Sequence, residues 1–344
     1  MCIPKFLNGQ VMTRLDVLLS LIILLMCSCN KRTTTVVNEP PQALESQPAP
    51  KVEPNPYPPE PSAEKGQETP VDEKLGSAYN HCQFKSVHNA YERKETLEDQ
   101  LDVLKLRSIE LDIHPTRKGE PVLPGDWYVY HQDNSKSSIK LLSEALTIIK
   151  KNADTKGEMI TVWIDLKDQL KPDYDGDALD ALLKKQLGSA IFAPKDLLGT
   201  CKGATDFKNF AEACTWPTRD VLKGRVLIAL TGKSAKPYAT TMREAVDRVG
   251  FLTPEISKES QLAEFSHAMI FNLSKDTVLK TDLASAVFAQ NKLSRTWDVN
   301  SEDDWRKITA KPVNHIATDK VDIQKDPWAS TQSSDGGPCS PIAP

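Results

Sequence analysis

A (β/α)8 barrel of the α/β class is the fold this sequence predicts, and three observations predict it. The stretch from residue 80 to the end is roughly 265 residues long, close to the ~250 typical of that fold. Within it, short β-rich runs alternate with amphipathic stretches, the pattern of a parallel sheet covered by helices. Residues able to do chemistry then cluster where the runs end, the face on which barrel sites are built.

What precedes the barrel is of another kind. Residues 17–26 read VLLSLIILLM, too short an apolar run to span a bilayer but the right length for the core of an export signal, with Lys5 and Arg14 upstream. It runs into Met26-Cys27-Ser28-Cys29, which resembles a bacterial lipobox. Cleavage before Cys29 makes that residue the lipidated start of the mature chain, so 1–28 is read as a lipoprotein signal peptide. Segment 29–79 is read as a disordered tether. Ten of the 24 prolines fall between Pro40 and Pro70, and almost no aliphatic periodicity is present, so the segment has nothing to bury. The expected location is the bacterial cell envelope, with the barrel held to a membrane by the N-terminal lipid. In such a lipoprotein the Asn272-Leu273-Ser274 sequon carries no glycan.

In the barrel proper, strands are expected at 84–87, 108–113, 127–130, 159–166, 225–231, 268–273, 293–297 and 315–318. Helical periodicity falls at 96–106, 138–151, 176–187, 240–249, 258–266, 281–291 and 301–310. The long gap at 167–224 must hold an insertion. No internal repeat and no second domain boundary is visible. With Lys+Arg at 43 and Asp+Glu at 47, the net charge of −4 argues against a nucleic-acid partner. The protein is expected to act as a monomer.

Seven cysteines are present, and processing at Cys29 leaves four for an oxidising compartment. Cys201 and Cys214 lie in the same insertion and are paired here. Cys82 opens the first strand and Cys339 follows the last. A closed barrel brings its first and last strands together, so these two can clasp the termini. Loop-closure entropy gives about 3 kcal/mol for the short loop and somewhat above ~4 kcal/mol for the long one.

Four short motifs end predicted strands: Val87-His88-Asn89-Ala90, Ile109-Glu110-Leu111-Asp112, Tyr130-His131-Gln132-Asp133 and Trp163-Ile164-Asp165-Leu166-Lys167. Glu110 and Asp112 are two apart on a strand, so they share a face. Two carboxylates facing a closed interior repel unless something positive joins them, and a divalent cation does so. Asn89 and Asp165 can complete an all-oxygen set that suits Ca²⁺ or Mg²⁺ and not zinc. His88 and His131, at the ends of the first and third predicted strands, face one another across the mouth as a base and acid pair for a phosphodiester. Lys167 can hold a phosphate oxygen. His81, His114, His267 and His315 stand outside any such constellation and are read as structural. Asp133 and Asp168 are read as loop residues.

These motifs, in this order, resemble the catalytic barrel of phosphoinositide-specific phospholipases C, in particular the calcium-dependent bacterial branch. The resemblance continues in Thr215-Trp216-Pro217, in Leu222-Lys223-Gly224-Arg225-Val226, in Arg295-Thr296 and in Ala317-Thr318-Asp319, and covers roughly residues 82–325. It implies a metal-dependent phosphodiesterase acting on a phospholipid or polyol phosphodiester. His88 would be the base on an inositol 2-hydroxyl and His131 the acid for the leaving alkoxide. Asn89, Glu110, Asp112 and Asp165 would bind Ca²⁺, with Arg295 and Lys167 on substrate. The nearest rival is the glycerophosphodiester phosphodiesterases, whose first-strand motif is normally His-Arg; His88-Asn89 favours the phospholipase branch. A catalytically silent surface-binding barrel is the remaining alternative, and it need not keep two histidines, an asparagine and three carboxylates together.

Overall fold

The computed structural model describes residues 78–132, 135–331 and 339–342; Cys29, expected to carry lipid, the expected export signal, most of the expected tether and Asp133 lie outside them. Ala78 and Tyr79 are already buried. Eight parallel strands form the barrel wall: β1 (Cys82–Val87), β2 (Ser108–His114), β4 (Ile160–Leu166), β5 (Val226–Thr231), β6 (Phe251–Leu252), β7 (Ile270–Ser274), β8 (Leu293–Trp297) and β9 (His315–Thr318). Their lateral order is β6-β5-β4-β2-β1-β9-β8-β7. Between β6 and β7 the ring is closed by a bridge from Glu255 to Asn272 rather than by a full ladder. No described helix is long and apolar enough to cross a membrane.

One expected strand was the wrong one. The run at 127–130 contributes only β3 (Tyr128–Val129), which is antiparallel and pairs with the end of β2 through Ile113 and His114. Its aromatic, β-branched composition raises strand propensity without making it part of the barrel. The true missing strand is β6. Two residues long, between Gly250 and Thr253-Pro254, it is too short to show a period, and a nearby proline argues against a central strand. A tenth strand, β10 (Cys339–Pro341), runs antiparallel along β1.

The helices follow the expected order; Gly176–Leu187 spans the expected residues, and the others have ends shortened or shifted: Leu97–Asp102, Leu142–Ala153, Met242–Asp247, Ser260–Glu264, Leu283–Ala289 and Glu302–Thr309. Side-chain caps explain several starts. Thr96, Asp175, Thr241 and Ser301 each accept a hydrogen bond from the backbone three residues on. The insertion carries Pro194–Gly199 and Phe207–Ala213, and Lys275–Lys280 adds a further helix. Both expected disulfides are formed, Cys82–Cys339 and Cys201–Cys214, with Cα atoms 5.6 and 5.9 Å apart.

The inward face of the wall is set by its period of two. Trp163 on β4 meets His315 on β9, with ring centroids 5.2 Å apart, and the lateral order puts those strands on different sides of the interior. Ser108 Oγ on β2 lies at the centre of this layer. It donates to Ser86 Oγ (2.8 Å), accepts from Trp163 Nε1 (3.0 Å) and bonds His315 Nδ1 (2.9 Å). All four residues are fully buried. Two residues further along the strands, the same face carries His88, Glu110 and Asp165 to the mouth; Asp112 and Lys167 come one step later.

Candidate active site

The strand ends bring seven of the eight expected site residues onto one cleft of about 320 Å³: His88, Asn89, Glu110, His131, Asp165, Lys167 and Arg295. Asp112, the eighth, lies beneath them, fully buried, and is bonded to two of them.

Asn89 has a left-handed backbone, φ 49° and ψ 59°, which asparagine tolerates better than most residues. The turn places its N–H 3.1 Å from Glu110 Oε2, to which it donates. The Tyr91 hydroxyl donates to Asn89 Oδ1 at 3.0 Å. Burial and the nearby Asp112 and Glu110 carboxylates push the Tyr91 hydroxyl far up, so it stays protonated as a donor.

Each histidine has its own carboxylate. His88 Nδ1 lies 3.0 Å from Asp319 Oδ1, and its Nε2 lies 3.8 Å from Glu110 Oε2. Asp319 is in turn held by Arg93 (2.9 Å) and by the Asn300 amide (2.8 Å). Burial pulls the His88 imidazole down, but the bond to Asp319 and the Glu110 charge outweigh it, so the ring titrates above its ordinary value. His131 Nδ1 lies 2.6 Å from Asp112 Oδ2, and that bond raises its titration. Carboxylates only accept, so in each ring Nδ1 is the protonated nitrogen and Nε2 is left to take up or release the second proton.

His131 does not end a barrel strand across the mouth from His88, as expected from the sequence. It follows the antiparallel β3 and sits beside the end of β2. His114 secures it there: His114 Nε2 lies 3.2 Å from the His131 carbonyl, and its Nδ1 is 2.8 Å from Asp168. A residue read as structural thus positions a site residue, and Asp168 holds it. His315 is a core residue, pulled down to about 3 by burial and by Arg295.

Charge compensation differs from the sequence argument. Arg295, almost fully buried over the Trp163 ring, pairs with Glu110 at 2.8 Å and donates to Asn272 Oδ1 at 3.3 Å. Lys167 Nζ reaches both Asp112 (2.8 Å) and Asp165 (2.6 Å). The carboxylates therefore have cationic partners within the chain, and repulsion alone does not demand a metal. Two other observations fit one. One oxygen each from Glu110, Asp112 and Asp165 lie within 4.8 Å of one another, and Asp112 Oδ1 is buried without any hydrogen-bond partner. Burial and the charge of Asp112 push the Asp165 carboxyl up, so three negative groups still crowd one point. A hard divalent ion suits that donor set, with Asn89 as its amide member.

The sequence reading passed over several wall residues. Gly232, with φ 96°, leaves room for Asp165: a Cβ there would lie 2.1 Å from Asp165 Oδ1. Trp297 stands two after Arg295 on the same face, a period-two signal that was present. Asn272, noticed only as a sequon, is buried and donates to Thr231 at 2.9 Å. Lys233 and Glu255 also line the cleft and connect it to a second hollow of about 410 Å³ with Leu252, Ile256 and Phe265 in its wall.

No protein-family model matches the chain, and no curated protein is similar to it in sequence. Solved structures are similar. A calcium-dependent phosphoinositol-specific phospholipase C from Pseudomonas sp., a Gram-negative bacterium, is 20% identical with a TM-score of 0.64, over 79% of this chain and 97% of that one. A Ca²⁺-dependent phosphatidylinositol-specific phospholipase C from Streptomyces antibioticus is 18% identical with a TM-score of 0.59, over 72% and 96%. A glycerophosphodiester phosphodiesterase from Parabacteroides distasonis is 13% identical with a TM-score of 0.45. At these identities the likeness to the two phospholipases establishes a shared barrel fold.

Proposed function

We propose that this protein is a metal-dependent phosphodiesterase of the phosphoinositide-specific phospholipase C type, cleaving a polyol phosphodiester by attack of a neighbouring hydroxyl. The observation that carries the reading is the pair of histidines, each fixed through Nδ1 by a carboxylate, on one cleft with three converging carboxylates. The two calcium-dependent phospholipases named above share the fold and support it.

His88 Nε2 takes the proton of the attacking hydroxyl as its oxygen bonds to phosphorus. His131 gives its Nε2 proton to the departing alkoxide as the second P–O bond breaks. A cyclic phosphodiester results, and water can open it with the two roles exchanged. Asp319 and Asp112 hold the rings in the tautomers this needs and stabilise their protonated forms. Glu110, Asp112, Asp165 and Asn89 would hold Ca²⁺ or Mg²⁺, which when bound lowers the hydroxyl's pKa and offsets charge on phosphorus. Lys167 and Arg295 add fixed positive charge at the cleft. Trp297 offers a flat apolar wall for a polyol ring.

The substrate is a phospholipid or a soluble polyol phosphodiester. Incubation with phosphatidylinositol and with glycerophosphoinositol, in Ca²⁺ and in chelator, followed by ³¹P NMR, tests the reading. Turnover of at least one, lost in chelator, is expected; no turnover of either in Ca²⁺ would leave the silent binder. We also place a lipid on Cys29, with the barrel displayed in the cell envelope. Cys29→Ala should then move the protein from the membrane to the soluble fraction or block its processing, and unchanged partitioning would put the anchor elsewhere.

A further inference from the structure

A second site is visible away from the mouth. Lys292 immediately precedes β8, at the end of the barrel opposite the cleft, and opens onto a hollow of about 750 Å³. Helices 207–213, 260–264 and 283–289 contribute the walls, with Ala211, Leu262, Ala263 and Ala289 giving them an apolar character. Lys292 is only 5% exposed. Among the described residues its ammonium has no carboxylate partner. Its neighbour is the Phe271 ring, with Nζ 5.3 Å from the centroid. Loss of water on burial lowers its titration to about 8.

The two other charges of the hollow, Lys208 and Glu212, lie at its exposed edge and face each other at 4.0 Å. They leave the buried ammonium uncompensated. Its placement is nonetheless fixed. Asn291, in a left-handed turn, accepts from the Asn80 amide at 2.7 Å through its side chain and from Trp216 Nε1 at 3.0 Å through its carbonyl. A buried ammonium with no counter-ion is unfavourable where a Leu or Met would pack without that cost.

We propose that Lys292 and this hollow form a second binding site, for a small organic carboxylate with an apolar body. The carboxylate supplies the missing counter-ion, and the alanine- and leucine-lined wall takes the hydrocarbon. Such a ligand restores the charge pairing and covers apolar surface in one step.

Octanoate serves as the probe, with 1-octanol as the same body lacking the charge. Calorimetric titration of the whole protein should show saturable 1:1 binding of octanoate, at least tenfold tighter than that of 1-octanol. Lys292→Met, which keeps an apolar stem, should weaken octanoate at least tenfold, while His131→Ala at the mouth leaves it unchanged. In the wild-type protein, octanoate should protect Lys292 from acetylation by acetic anhydride, read by peptide mass mapping. That measurement stands even where the variant fails to fold. Equal octanoate binding by folded Lys292→Met, or no protection of Lys292 at saturating octanoate, would overturn the proposal.

Discussion

The inward face of the barrel carries two polar layers, two to four residues apart along the strands, and they are built on opposite electrostatic rules. The lower layer, Ser86, Ser108, Trp163 and His315, is neutral and closed. Ser108 satisfies three partners at once, and His315 is forced to stay uncharged. The upper layer, His88, Glu110, Asp112, Asp165, Lys167 and Arg295, is ionic and open to a cleft. There carboxylates raise the histidines instead of burial suppressing them, and one buried oxygen, Asp112 Oδ1, is left without a partner. The same residue type is an uncharged core element in one layer and a carboxylate-bound ring that titrates above its ordinary value in the next. Access to water and the presence of an adjacent carboxylate decide which.

Substitutions in the two layers should therefore separate activity from stability. The largest effect is expected at the histidines of the mouth. His88→Ala and His131→Ala should each lower kcat by ~10²–10⁴-fold with little change in thermal midpoint. Next comes the lower layer. Ser108→Ala leaves Trp163 Nε1 and His315 Nδ1 without a partner and should cost about 1–3 kcal/mol in urea unfolding, with kcat almost unchanged. Gly232→Ala tests the upper layer from its wall. The added Cβ displaces Asp165, and the left-handed φ disfavours it further, so half-maximal activity should need about tenfold more Ca²⁺.

The most gradual effect is the pH dependence of the lower layer. His315 titrates near 3 when folded against about 6.5 when unfolded, so the unfolded chain binds the extra proton first. Its contribution is intact above pH 6.5. Stability should then fall by about 1 kcal/mol between pH 6.5 and 5.5 and by about 1.4 kcal/mol for each further unit, down to about pH 3. His315→Met should flatten that slope, and an identical slope in the variant would remove His315 from the account.

Legibility followed the physics of each element. Strands of five to seven residues, such as β2, β4 and β8, were readable because a period of two or a continuous apolar run had room to show. β6 was not, since two residues have no period and its neighbours Gly250 and Pro254 signal a turn. The aromatic run at 127–130 took its place because β propensity does not say which sheet a strand joins or in which direction. The site motifs were readable because Glu110 and Asp112, or Asp165 and Lys167, share a face by spacing alone. Asp319, Tyr91 and Gly232 were not assigned roles, because each acts through a partner distant in sequence or through a backbone angle. The charge argument for a metal was incomplete for the same reason. Arg295 reaches Glu110 from 185 residues away in sequence, a pairing no local pattern shows.

In the mechanism proposed above, a hydroxyl of the substrate, not water, first attacks phosphorus between His88 and His131. A single-turnover reaction with phosphatidylinositol in H₂¹⁸O tests it most directly. A cyclic phosphodiester free of ¹⁸O is expected as the first product, with any ¹⁸O entering only as that ring opens to the monoester. An ¹⁸O-labelled monoester formed from the first turnover, with no cyclic intermediate, would contradict it.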